Sequence, residues 1–428
     1  MKYLPRIIDT ILDVYLEAFG AVLLTGPKWC GKTTSASQRA KSMLKLQDPD
    51  TSIGYLKTAE IKPSLLLKGK NPRLIDEWQM APVLWDAVRS FIDDSGKEGL
   101  FILTGSTTVD ESKIMHSGTG RIARLQMLPM SLFESNESNG SISLHDLMND
   151  KNYDIDGRIS ELSIENLVFS ACRGGWPASI SKNSDKSKLL ISKAYVDSII
   201  ETDISTIDNI KRDPGKVQRV LRSYARNVGT LASNKTIIDD INANTSISQS
   251  AFYEYVNALN RLFVIQDIPA WNPSIRSKTA IRSSTKKMFI DPSIMTASLG
   301  LSPEILLQDF HTFGFIFENL CMRDLSIYAM SSGGRLSYYN DRSNLEVDAV
   351  LHLDDGRYAL IEFKLGSTGI EEGASHLLEV ERLIKKAKDQ RKGLGLREPE
   401  ALIIITGGEI AYTRPDGVKI VPIGCLKE

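Results

Sequence analysis

Residues 21–34 read AVLLTGPKWCGKTT, an apolar run that ends in a glycine-bounded loop and opens a helical stretch. This is the pattern G-x-x-x-x-G-K-[ST] in its required order of strand, loop and helix, and it constrains the fold more than any other stretch of the chain. Gly26 and Gly31 permit the tight path, and the loop N–H groups then point inward, where they cradle phosphate oxygens at a helix N-terminus. Gly26, Pro27, Lys28, Trp29, Cys30, Gly31, Lys32, Thr33 and Thr34 are therefore candidate nucleotide contacts. Lys32 is expected to meet the β- and γ-phosphates, and Thr33 to place its hydroxyl on Mg²⁺. Cys30 reads as a packing residue inside the loop, not a nucleophile.

A nucleotide site of this kind needs a second oxygen ligand for the metal and a group that handles water. The run RLIDEWQ, residues 73–79, supplies both at the end of a short apolar strand. Asp76 is expected to hold Mg²⁺ through water, and Glu77 to orient or deprotonate the attacking water. The next strand, FILTGS, ends in polar residues, so Ser106 or Thr104 is the candidate γ-phosphate sensor. In GRIARLQMLPMSLFE, Arg121 is the candidate arginine finger; Arg124 competes with it, and either could instead sit in a structural ion pair.

The 428 residues as a whole suggest about three domains at ~150 residues each. Strands alternating with helices over residues 1–180 imply an α/β doubly wound sheet. Residues 134–158, rich in Ser, Asn, Asp and Gly, read as a long loop or insertion. Residues 185–285 are mostly helical, and mixed α/β texture returns over 286–428, with strands RLSYYN, EVDAVLHL, YALIEFKL and ALIIITG. No apolar run approaches the ~18 residues of a membrane span. Four scattered cysteines without a CxxC exclude a zinc ribbon and a disulfide scaffold, and fit a reduced cytoplasmic setting.

Residues 1–135 resemble the ATPase module of a large prokaryotic group related to AAA+ and STAND ATPases. The resemblance rests on PRIID, LLTGPKWCGKTT, LIDEWQ, FILTGS and GRIARLQMLPMSLFE. It implies ATP as the nucleotide, since the loop alone specifies phosphate and not base. It also implies that Gly174, Gly175, Trp176 and Pro177 form the Gly-Gly-x-Pro element that lies near the adenine in that group. The usual continuation is a winged-helix-like segment followed by a domain of unknown function related to PD-(D/E)XK nucleases.

The middle of the chain is basic. Residues 211–290 carry 13 Lys and Arg against 5 Asp and Glu, in a chain of net charge −1. Such a stretch suggests a surface that meets an anion such as DNA, or else an ordinary solvated face or an internal partner for the acidic remainder of the chain. Lys211, Arg212, Arg276, Lys278 and Lys287 are the candidate phosphate contacts. Within it, Thr236–Ile241, a turn, and Ser248–Leu262 have the cadence of a helix-turn-helix, with Phe263–Ile268 as a following strand. Tyr255, Leu259 and Leu262 form its apolar stripe. Gln249, Ser250, Glu254, Asn257 and Arg261 make a poor base-reading face.

In the tail, Asp348 lies on one strand of a hairpin, and Glu362 with Lys364 lies on one face of the next. With Glu318 on the preceding helix, these fill the acidic and basic positions of the PD-(D/E)XK pattern. Asp348 and Glu362 are the candidate metal ligands, Lys364 the group that positions water or stabilises charge, and Arg342 a neighbouring charge partner or phosphate contact. The combined expectation is a Mg²⁺-dependent ATPase acting as a nucleotide-driven switch on nucleic acid, with a nuclease-like tail. Candidate partners are ATP, DNA and a second copy of the chain, with no membrane. One alternative is a STAND-type regulatory ATPase whose tail binds without cutting. Another is an ATP-binding interaction protein with negligible turnover, against which the Asp76–Glu77 pair counts.

Overall fold

The computed structural model describes residues 3–106, 114–208, 210–243, 246–272, 284–341, 343–390 and 397–428. These divide into two compact units, one of residues 1–129 with 261–263 and one of residues 130–260 with 264–428. No helix among the described residues is long and apolar enough to cross a membrane. All four cysteines are buried and unpaired.

The first unit is built on a five-stranded parallel sheet. Its strands are β1 (Ala21–Thr25), β2 (Ser42–Lys45), β3 (Arg73–Asp76), β4 (Phe101–Gly105) and β5 (Ile122–Gln126), in spatial order β2-β3-β4-β1-β5. Every strand is four or five residues long, and β1 and β4 are almost wholly apolar and buried, as strands of a sheet covered on both faces must be. Leu23, Ile75, Trp78, Trp85, Val88 and Leu103 pack one side of it. Since all five strands run the same way, the polar residues after β1, β3 and β4 emerge at one edge, the usual ligand edge of such a sheet.

The second unit carries a six-stranded mixed sheet of β7 (Gly334–Asn340), β8 (Glu346–Leu353), β9 (Tyr358–Lys364), β10 (Ala401–Thr406), β11 (Tyr412–Thr413) and β12 (Lys419–Pro422). Their order is β11-β12-β10-β9-β8-β7. The antiparallel meander β7–β8–β9 turns at Asp354-Asp355-Gly356, where Gly356 takes φ +84°, and β9, β10 and β12 then run parallel. The helix Ile370–Gln390 covers one face with Ile370, Ala374, Leu377, Val380 and Ile384, a stripe at helical spacing. The helix Phe310–Met330 is apolar nearly all round, and 13 of its 21 residues are buried, as a central helix must be.

Two expectations are corrected. Residues 134–158 are not a plain loop: Ile142–Ser143 (β6) pairs in parallel with Leu426–Lys427 (β13), and the helix Leu144–Asn149 follows. The anchors are Ser138, which donates to Leu426 O at 2.6 Å, and Ser143, which donates to Glu428 O at 3.0 Å. These contacts lie some 285 residues apart in sequence, so local composition does not report them. The helices expected at Thr236–Ile241 and Ser248–Leu262 appear as Asn234–Asn242 and Gln249–Arg261, with Tyr255, Leu259 and Leu262 buried. Among the described residues, no regular strand follows them. Phe263 takes φ +56°, which breaks extended pairing, and isolated bridges Ile265–Phe289, Ile268–Lys286 and Ala270–Tyr338 form instead.

Candidate functional site

The phosphate loop leaves β1 at Gly26 (φ +145°), where a Cβ would come within 2.1 Å of Met127 O. It re-enters regular structure at Gly31 (φ +102°), the N-cap of the helix Lys32–Arg39. Lys32 is buried, and its Nζ donates to Gly26 O at 3.0 Å and Pro27 O at 2.7 Å. Cys30 is fully buried with its Sγ 3.7 Å from Met127 O, whereas Trp29 is exposed at φ +66°. The loop is also held from outside by a residue whose role the sequence did not disclose. Arg6 of PRIID donates to Cys30 O at 2.9 Å and to Leu128 O at 2.8 Å. Asp9, one helical turn later, accepts from the Arg6 N–H at 3.0 Å and from Tyr3. A pattern scan finds the loop but not the arginine that clamps its carbonyls, because the clamp is a backbone contact.

The acidic pair lies where the parallel register puts it. Asp76 ends β3 directly beside Thr104 of β4, and its Oδ1 accepts from Thr33 Oγ1 at 2.7 Å and from Thr104 Oγ1 at 2.6 Å. Thr104 therefore orients the Asp76 carboxylate. Ser106 reaches the Glu77 side chain, at 3.4 Å from Oε2, Gln79 donates to the same oxygen, and Thr104 Oγ1 accepts from Glu77 N at 3.4 Å. Glu77 sits at φ +55°, a left-handed conformation that costs a non-glycine residue about 1–3 kcal/mol and clusters at functional sites. The residues fit a magnesium nucleotide: Thr33 and Asp76 offer hard oxygen donors side by side, and Gly26 leaves no room for a side chain in the loop.

Arg121 is half-exposed, and its Nε lies 2.7 Å from Asp93 Oδ1, with Arg89 2.9 Å from the other Asp93 oxygen. The pairing with Arg121 holds the Asp93 carboxyl below its usual range. Arg124 stacks 5.7 Å from the Trp85 ring. Arg121 thus occupies the ion pair that competes with a finger role.

In the second unit, Glu318, Asp348, Glu362 and Lys364 come together with Lys286, which no sequence pattern placed in this cluster. Lys286, only 1% exposed, sets its Nζ 2.8 Å from Glu318 Oε1, 2.8 Å from Glu346 Oε1 and 3.4 Å from Asp348 Oδ1. Asp348 Oδ2 accepts from Phe363 N at 2.9 Å, and Lys364 Nζ lies 3.0 Å from Glu362 Oε2. His376 Nδ1 stands 3.9 Å from Glu362 Oε1. Among the described residues, no group of three or more His, Cys, Asp and Glu side chains is arranged to hold a metal ion. Arg342 lies outside the described residues.

Burial alone would lower the Lys286 ammonium, but Glu318, Asp348 and Glu346 hold it well above its usual value. Burial pushes Glu318 up to about 7, with Asp348 and Glu346 adding to the rise and Lys286 opposing it. Burial likewise pushes Glu362 up to about 8, with Asp348 adding and Lys364 opposing. A carboxyl raised in the folded state holds a proton that the unfolded chain has already released. Its stabilising effect is complete below about pH 4 and is lost as pH rises toward 8. Glu362→Gln should therefore make the fall in stability between about pH 5 and 8 shallower, with the Glu318 contribution remaining, and raise stability at pH 8 by at most a few kcal/mol. Chemical denaturation at three pH values measures this; an unchanged slope would show that Glu362 is not the titrating group.

The Gly-Gly-x-Pro element packs within the second unit. Gly174 (φ +73°) has Asp291 and Ser293 where a Cβ would stand, Gly175 N donates to Asp291 Oδ2 at 2.9 Å, and Trp176 Nε1 donates to Ser293 Oγ at 2.9 Å. Two expected phosphate contacts are corrected. Arg212 is buried and bound to Asp208 through both Nη atoms at 2.7 Å, and Lys287 is buried 2.7 Å from Asp267. Their charge neutralises acids of their own unit. Arg276 and Lys278 lie outside the described residues. Lys211 is exposed, as are Arg219, Arg222 and Arg226 of the helix Pro214–Arg226, with Arg226 3.8 Å from Asp240.

Comparison with known proteins divides the chain in three. Residues 18–136 match a family profile described as an AAA domain. Residues 164–305 and 313–426 match two domains of unknown function, DUF8612 and DUF4143. Among solved structures, the chain is similar to the Walker-type ATPase PABY2304 of Pyrococcus abyssi at 15% identity and TM-score 0.38, covering 68% of this chain and 94% of that one. It is also similar to Drosophila ORC bound to DNA at 11% identity and TM-score 0.23, covering 72% of this chain and 95% of that one. No curated protein matches significantly. The stretch matched by the AAA profile is the one that carries the phosphate loop, Lys32, Asp76 and Glu77.

Proposed function

We propose that the chain is a Mg²⁺-dependent ATPase that works as a nucleotide-driven switch on nucleic acid through its basic middle and nuclease-like tail. The observation that carries the ATPase reading is the hydrogen-bonded line Thr33–Asp76–Thr104, which sets a hydroxyl and a carboxylate at the mouth of the phosphate loop. The loop N–H groups and the start of the helix Lys32–Arg39 bind the phosphates, and Lys32 exchanges the carbonyls of Gly26 and Pro27 for phosphate oxygen. Thr33 and Asp76 would hold Mg²⁺, which neutralises phosphate charge when bound. Glu77, steadied by Gln79 and Ser106, orients the attacking water and takes its proton.

The nucleic-acid reading rests on Arg219, Arg222 and Arg226, which recur on one face of their helix, together with Lys211. DNA affinity should fall with salt at a log–log slope near −0.9 per neutralised phosphate, and Arg222→Ala should reduce the slope by about 1. ATP hydrolysis measured with and without DNA tests the coupling; hydrolysis that ignores DNA, with binding indifferent to salt, would leave the STAND-type reading. That second reading draws support from the internal pairing of Arg212 and Lys287, which removes two cations from any DNA-facing surface.

A further inference from the structure

The acid cluster of the tail already contains a cation. Lys286 offers three N–H bonds and has three carboxylate oxygens around it, from Glu318, Glu346 and Asp348. Its backbone is pinned by a reciprocal bridge, with Lys286 N and Ile268 N each 2.9 Å from the other residue's carbonyl oxygen. The Lys286 side chain is 1% exposed, while the Glu318, Glu346 and Asp348 side chains are 12%, 36% and 18% exposed. Solvent therefore reaches the acids more readily than the ammonium, and replacing that ammonium by a metal requires a buried side chain to leave.

The neighbouring oxygens are committed as well. Asp348 uses Oδ1 toward Lys286 and Oδ2 toward Phe363 N, and Glu362 Oε2 is paired with Lys364. A divalent ion needs oxygens at roughly 2.0–2.6 Å and would stand within a few ångströms of the Lys286 charge. The residues thus do not fit the metal that the PD-(D/E)XK resemblance implies. The geometry points to Lys286 serving as a permanent protein cation in place of that metal, so that the tail binds its partner without metal-dependent cleavage. This rests on the nuclease-like reading of the tail.

The test uses the full chain without nucleotide and Mn²⁺ alone as the probe. The parent should show no Mn²⁺ uptake that Asp348→Asn removes, and no Mn²⁺-supported nicking of DNA or RNA. Lys286→Met should melt several degrees lower than the parent, and millimolar Mn²⁺ should restore most of the loss. Adding Asp348→Asn to Lys286→Met should abolish that restoration. If Lys286→Met does not fold, Lys286→Met/Glu346→Gln, which also removes one uncompensated acid, takes its place in both comparisons. Asp348-dependent Mn²⁺ uptake or nicking by the parent overturns the inference while keeping the nuclease-like reading. Failure of Mn²⁺ to restore the lysine variant overturns both, and leaves the cluster as a plain ion-pair network.

Discussion

Glu77→Gln should bind ATP as tightly as the parent and hydrolyse it about 10²–10⁴-fold more slowly, the usual range for loss of a general base. The amide keeps the size of the carboxylate and its contacts with Gln79 and Ser106 but cannot accept the proton of water. Binding would survive because, on the proposed reading, the loop and Lys32 would hold the phosphates and Thr33 and Asp76 the metal. Lys32→Ala should instead weaken binding and turnover together, since it removes the one buried ammonium of the loop. Nucleotide binding by titration and phosphate release on the same preparations separate the two effects. Parent-like hydrolysis by Glu77→Gln would remove Glu77 from its role and direct attention to Thr104 and its hold on Asp76.

Arg323→Met should destabilise the second unit by about 3–5 kcal/mol, the cost of stripping the partner from buried charges. Arg323 is 2% exposed and lies 3.0 Å from Asp291 and 2.7 Å from Asp324, both fully buried. Those carboxylates in turn accept from Gly175 N and Leu132 N, each at 2.9 Å, so one guanidinium ties together four segments distant in sequence. Burial pushes the Asp324 carboxyl up to about 6 even with Arg323 opposing the rise. Without the arginine, both acids must take up protons or remain charged in an apolar interior. Adding Asp291→Asn and Asp324→Asn should recover much of the loss, whereas Arg335→Met, at an exposed pair with Asp354, should leave the melting temperature unchanged. Denaturation followed by fluorescence measures all three. A parent-like Arg323→Met would mean that the triad is compensated from elsewhere.

What could be read along the chain was whatever repeats over short distances. The run into Gly26, the Lys32–Thr33 step, the strand ending at Asp76–Glu77 and the hairpin around Asp355–Gly356 each carry their signal within about ten residues. Backbone geometry then forces those side chains to a strand end or to one face. The parallel sheet followed from apolar strands alternating with helices. The helix bearing Glu318 was expected from its place ahead of the hairpin in the PD-(D/E)XK pattern, and these inferences needed no partner to be identified.

Tertiary structure decided where the charges went. Lys286 and Asp348 are 62 residues apart, and nothing in the composition of either neighbourhood says that they meet. Arg212 and Lys287 belong to a basic segment by count, yet each spends its charge on an acid of its own unit. Arg6 grips backbone carbonyls, which have no sequence identity to recognise, and residues 134–158 fold because the far end of the chain lends them a strand. A helix or strand is set by interactions between near neighbours, which a local pattern reports. A buried ion pair is set by which distant acid reaches the same low-dielectric space, and only the folded chain brings them there.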